Sequence, residues 1–158
     1  MIRMMLAASG AVAVIALIPA QSALAKEPSR GLNGSCSTEF AFTGPGTVLV
    51  TGACRYGHLG LTQCVTEQTV TPAADGTLII ENEGVCTAAN GDQLYTRFSG
   101  TGTPTPTGAI VFSGTETYAG GTGRFADATG SATLWGSAQF TSEFGGVGSF
   151  ALRGRIGY

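Results

Sequence analysis

The sequence predicts an all-β protein, an antiparallel up-and-down barrel of about eight strands. Three observations carry that expectation. Apolar and polar residues alternate with period two along nearly every segment after residue 35. Gly, 25 of 158 residues and roughly twice ordinary usage, separates those segments together with Pro, Asn and Asp. Past the N-terminus, no stretch shows a helical apolar stripe of about ten residues or more, so no helix is expected there. A two-sheet β-sandwich is the alternative. The barrel is favoured because the links are short and closure removes exposed edges.

The chain begins with a segment that reads as an export signal. Arg3 is a minimal basic start, Met4 to Ile18 is apolar, Pro19 breaks the run, and Ala23-Leu24-Ala25 offers small residues for cleavage after Ala25. The run falls short of the ~20 residues that span a bilayer. Residues 1–25 are therefore expected to be a cleaved secretory signal peptide, 26–35 a flexible lead and 36–158 one barrel domain, secreted to the periplasm or beyond. No later apolar run approaches spanning length, so no membrane span is expected after cleavage. A membrane barrel would need an outward apolar band with aromatic girdles. Here Thr, Ser, Glu and Arg fill the second face of nearly every strand, and the aromatics number only eight Phe, four Tyr and one Trp.

Strands are expected at 36–43, 47–55, 60–70, 77–86, 93–99, 108–118, 130–141 and 147–157. Cys36, Thr38, Phe40 and Phe42 share one face, as do Val48, Val50, Gly52 and Cys54. Leu94, Thr96 and Phe98 continue the pattern, followed by Ile110 and Phe112, then Ala132, Leu134, Ala138 and Phe140. Gly44-Pro45-Gly46, Ala74-Asp75-Gly76 and Asn90-Gly91-Asp92 have the chemistry of tight turns. Thr103 to Gly108, with Pro104 and Pro106, reads as a link that no central strand would tolerate.

Four cysteines in an exported chain imply two disulfides. Residues that face each other across a hairpin have numbers centred on its turn. Cys36 and Cys54 centre on Pro45, and Cys64 and Cys86 centre on Asp75, so the expected pairs are Cys36 with Cys54 and Cys64 with Cys86. A Cys54–Cys64 pair, centred on Leu59, remains open as a rival. The spacings are not the close pairs of zinc modules, so no metal is expected. Eight Lys plus Arg against ten Asp plus Glu give a net charge of −2. Nothing there attracts a phosphate backbone, which argues against nucleic acid as a partner.

Three motifs carry a resemblance. Gly57-His58-Leu59-Gly60, Ala88-Ala89-Asn90-Gly91-Asp92-Gln93-Leu94 and Gly120-Gly121-Thr122-Gly123-Arg124-Phe125-Ala126 together resemble a family of small exported bacterial proteins, mostly of unassigned function. The last of these, followed by Ala128-Thr129-Gly130, also resembles the allene oxide cyclase and dirigent-type β-barrel group. That resemblance spans about residues 46 to 158 and implies an eight-stranded antiparallel barrel. The Gly-rich motif matches, but no set of catalytic residues does, so the group's activity does not carry over.

Each motif has a simpler reading beside the chemical one. Gly121 to Ala126 fits the nucleotide-binding G-x-G-x-x-A pattern, but alternating strand follows where that pattern needs a helix, so no cofactor is expected. A turn with Phe125 plugging the barrel end fits better. Arg124 suits an anionic ligand, or else a pairing with Asp127, Asp92 or Glu116. His58, the sole histidine, with Asp92 and Arg124 makes the candidate catalytic set; the plainer reading is a histidine that fixes a turn. Glu81 and Glu83 share one strand face and read as exposed acids.

The functional expectation is an exported barrel, not favoured as an enzyme, that binds a small apolar or amphipathic ligand. Phe40, Phe42, Leu94, Phe98, Phe112, Leu134 and Phe140 are the candidate ligand-binding residues. A cyclase- or isomerase-like enzyme of the allene oxide cyclase type and a structural or surface-interaction protein are the alternatives. The oligomeric state and the ligand's identity are not legible in the sequence.

Overall fold

The computed structural model describes residues 28–158. The expected signal segment 1–25, its cleavage point and residues 26–27 lie outside the described residues. Eight strands follow one another: β1 Arg30–Gly44, β2 Thr47–Tyr56, β3 Gly60–Pro72, β4 Leu78–Ala88, β5 Gln93–Pro104, β6 Ala109–Gly121, β7 Thr129–Ser142 and β8 Gly145–Gly157. Each pairs antiparallel with the next, and β8 pairs with β1, which closes the barrel and leaves no edge strand. The architecture is thus the barrel and not the sandwich.

Two strands run well past their expected bounds for a physical reason, and one short helical turn is added. Arg30 to Ser35 is strand, not flexible lead: Arg30 opposes Ile156 and Ser35 opposes Ala151, and closure requires β1 to offer β8 a full edge. Leu32 is the only large apolar residue of that stretch and is 1% exposed, but the surrounding Gly, Asn and Ser hide the pattern. β5 runs on to Pro104, which opposes Ile110 as the last pair of its ladder, where a missing N–H does little harm. A short 3₁₀ turn, Gly123–Phe125, interrupts the all-strand chain between β6 and β7.

Up-and-down order sorts the links to two ends. The β1–β2, β3–β4, β5–β6 and β7–β8 links form the mouth. The β2–β3, β4–β5 and β6–β7 links, with both ends of the described chain, form the opposite, sealed end. There Phe125 is fully buried, in one core cluster with Leu32, Leu59, Leu94, Ala128 and Ile156.

Both disulfides join neighbouring strands inside the barrel. Cys36–Cys54 links β1 to β2 and Cys64–Cys86 links β3 to β4, with Cα separations of 4.1 and 4.0 Å. Each pair consists of directly opposed residues, and each bridge should stabilise by about 3 kcal/mol. Inward glycines make room for aromatic rings. Gly100 opposes Gly114, and a Cβ on either would lie within 2.7 Å of the tip of Phe98. A Cβ on Gly146 would come 2.8 Å from the Phe40 ring.

Candidate functional site

Period-two alternation places every second residue of each strand on the inner wall. In a barrel of eight strands that wall either fills the interior or leaves room for one small ligand. Here it leaves a cavity of about 290 Å³, open toward the mouth. Of the seven residues expected to bind a ligand, Phe40, Phe42, Phe98, Phe112, Leu134 and Phe140 line this cavity. Leu94 does not; it lies deeper, 1% exposed, in the floor beside Phe125.

The mouth is aromatic. Phe40 meets Phe140 edge-on at 5.3 Å between ring centres, while Phe42 stacks on Phe140 at 6.1 Å. Register shifts leave Thr43 and Thr141 unpaired beside Phe42 and Phe140. Bulges at a barrel rim re-aim neighbouring side chains, here two rings at the entrance. The Phe42 N–H donates to the Phe144 carbonyl at 2.8 Å and ties the two rim turns together.

The inner end of the cavity is polar, and the sequence reading missed it. Glu116 of β6 points inward between Phe98 of β5 and Ala132 of β7 and is 6% exposed. Its Oε1 has no hydrogen-bond partner, nor has the hydroxyl of Tyr118 two residues along. A buried polar atom left unmatched costs about 1–3 kcal/mol, so apolar residues at these positions would give a more stable barrel. Burial pushes the Glu116 carboxyl up to about 7, against a smaller pull the other way from Tyr118, whose hydroxyl is near but not in hydrogen-bond geometry. Burial first, and the Glu116 charge second, raise the Tyr56 and Tyr118 hydroxyls well above the ordinary tyrosine value. Tyr56 places its hydroxyl between the sulfurs of Cys36 and Cys86, at 3.8 and 3.9 Å. The signal for Glu116 was present: it has the same parity as Ile110 and Phe112 on one strand. The sequence offers it only as one of three pairing partners for Arg124, beside Asp127 and Asp92.

His58, Asp92 and Arg124 all sit at the sealed end, and none of them lines the cavity. Arg124 lies 3.8 Å from Asp92 through Nε, donates through Nη2 to the Leu59 carbonyl at 3.2 Å, and stacks 4.6 Å over the Phe125 ring. Its backbone N–H donates to Asp92 Oδ2 at 3.3 Å, and that oxygen also accepts from Asn90 Nδ2 at 2.8 Å. Thr122 and Gln93 exchange two more hydrogen bonds. The three motifs of the sequence thus meet in one cluster whose centre is the Phe125 plug. Gly123 packs on the Asp92 carboxylate, and Gly121 on the Gln93 carbonyl, where a side chain would collide. His58 is exposed at the tip of the β2–β3 link, with φ of 70°.

The outer wall holds the remaining candidates. Glu83 pairs with Arg97 of the neighbouring strand at 2.9 Å, well exposed, and Trp135 and Val111 stay about half exposed. Among the described residues, no cluster of three or more His, Cys, Asp or Glu is placed to hold a metal.

Compared with known proteins, the chain matches no family model, no curated protein and no solved structure. The likeness to small exported proteins and to the cyclase and dirigent barrels rests on the quoted motifs alone.

Proposed function

We propose that the protein is an exported, non-catalytic carrier that holds one small apolar or amphipathic molecule inside its barrel. The observation that carries this reading is the cavity of about 290 Å³, walled mainly by Phe, Val, Leu and Ile and reaching Phe42 and Phe140 at the mouth. A barrel of this size with no ligand role would be expected to fill its interior with side chains. The signal-like N-terminus and the two disulfides support an oxidising compartment outside the cytoplasm. The cyclase-type alternative draws no support from the cavity, because Asp92 and Arg124 are engaged with one another at the far end.

Native mass spectrometry without reductant, on protein isolated from its host's exported fraction, tests the proposal. The expected result is a reproducible added mass that disappears on denaturation. Ala138 lines the cavity, so Ala138→Phe should fill it and remove that added mass, at an overpacking cost of about 1–3 kcal/mol. A bare chain that also fails to take up apolar probes would overturn the carrier reading.

A further inference from the structure

We infer that the cavity selects a ligand whose polar head is a hydrogen-bond donor, an alcohol or a protonated amine, seated at Glu116 with its apolar body running toward the mouth. The inference rests on the carrier reading and adds to it the chemistry of the cargo.

Three observations converge on that head group. Glu116 is a carboxyl in an apolar wall, 6% exposed, lining the cavity with one oxygen unpartnered. Tyr118, beside it, also has an unpartnered hydroxyl, and the Tyr56 hydroxyl meets only sulfur atoms. Sulfur is a weak hydrogen-bonding partner, so Glu116 and Tyr56, which both line the inner end, are polar groups that the protein itself leaves poorly satisfied, while Tyr118 lies outside the cavity lining. A hydroxyl head donates to the carboxyl and can accept from a tyrosine. A protonated amine donates only and matches the ionised carboxylate. A carboxylate head would oppose acid to acid, so fatty-acid-like cargo is disfavoured.

The dimensions limit the body. Six residues of β6 separate Glu116 from Ile110 near the mouth, about 20 Å along a strand and about 15 Å along the axis at ordinary barrel tilt. The volume of about 290 Å³ is at the small end for ligand pockets. A ring with a short chain, or a medium alkyl chain, fits between Glu116 and the Phe40–Phe140 rim.

Four probes of matched body test this on the full chain: butylbenzene, phenylbutanol, phenylbutylamine and phenylbutyrate. Affinities are read by calorimetry for the native protein, Glu116→Leu and Glu116→Gln. The native protein should bind phenylbutanol or phenylbutylamine at least tenfold more tightly than phenylbutyrate, a result that needs no variant. Glu116→Leu should weaken the donor-headed probes at least tenfold and leave butylbenzene as tight or tighter. Glu116→Gln separates the two heads: it retains an alcohol and loses an amine that relied on the carboxylate charge. Butylbenzene binding with no preference among heads, unchanged in Glu116→Leu, would overturn this inference and leave the carrier reading standing. Failure of all four probes would overturn this inference, and together with a bare chain in native mass spectrometry it would overturn the carrier reading too.

Discussion

The two ends of the barrel are built from the same strands by opposite means. At the sealed end, three loops meet through hydrogen bonds and an ion pair, and Phe125 is fully buried, edge-on to Tyr158 and beneath the Arg124 guanidinium. At the mouth, the links are short turns, and Phe42 and Phe140 remain 39% and 40% exposed. One end matches its polar groups and excludes water; the other leaves an apolar entrance. Between them lies Glu116, the one acid buried in the described wall. The contrast teaches that the residues with sequence motifs build a lid, whereas those that face the cavity carry no motif.

The largest expected effect tests the sealed end directly. Phe125→Ala removes a fully buried ring and should cost about 3–5 kcal/mol in denaturant unfolding. Phe42→Ala at the mouth should cost about 1 kcal/mol, since its ring is already partly in water. Equal losses at the two positions would erase the distinction between lid and entrance.

Glu116 gives the next effect, with a sign set by linkage. Its folded value of about 7 stands above the ordinary 4.5. The folded state therefore binds the proton more tightly, and this contribution to stability is fully present below pH 4.5. It is lost as pH rises through 7, by about 3 kcal/mol in all. The titratable neighbours named with it, Tyr118 on its own strand and Tyr56 on β2, are raised and stay neutral across that range. The expected observation is a fall in unfolding free energy between pH 5 and 8 that disappears in Glu116→Gln. A slope unchanged in that variant would mean the carboxyl is well hydrated, and the cavity's inner end is then no different from its mouth.

Much of this fold was legible because barrel strands obey one simple period. The inward parity of Cys36, Phe98, Phe112 and Leu134, and the two hairpin-centred disulfides, follow from counting by twos. The extra length of β1 was not legible, because Arg30 to Ser35 is ordered by β8, some 120 residues away, and not by its own composition. The site was half legible. Its phenylalanines announce themselves by hydrophobicity, whereas a lone Glu reads as surface unless parity is allowed to overrule polarity. His58, Asp92 and Arg124 drew attention for the converse reason, since reactive side chains in Gly-rich motifs look like chemistry even when they fasten a lid.

Arg124→Met sharpens the comparison at smaller scale. It keeps an unbranched stem over Phe125 but removes the hydrogen bond to the Leu59 carbonyl and the pairing with Asp92. Partly exposed pairs of this kind contribute little, so a loss of about 1 kcal/mol is expected. Butylbenzene affinity should not change, because the cavity lies beyond the plug. A large drop in probe affinity in this variant would show that the lid shapes the site from behind.

The smallest effect concerns His58. Among the described residues it is the one non-glycine residue with a left-handed backbone, at φ of 70°, and its side chain faces solvent. That conformation costs an L-residue roughly 1 kcal/mol, which glycine avoids at the expense of a more flexible unfolded chain. His58→Gly should therefore be neutral or stabilise by a few tenths up to about 1 kcal/mol. His58→Ala keeps the strained Cβ and should change little, because no buried contact is removed. If both variants instead lost more than about 1 kcal/mol, the imidazole would have to be holding the β2–β3 link in place. The sealed end would then depend on three motif side chains and not two. If both are neutral, Leu59 and Gly60 suffice to turn that link, and the lid is held by Arg124, Asp92 and Phe125.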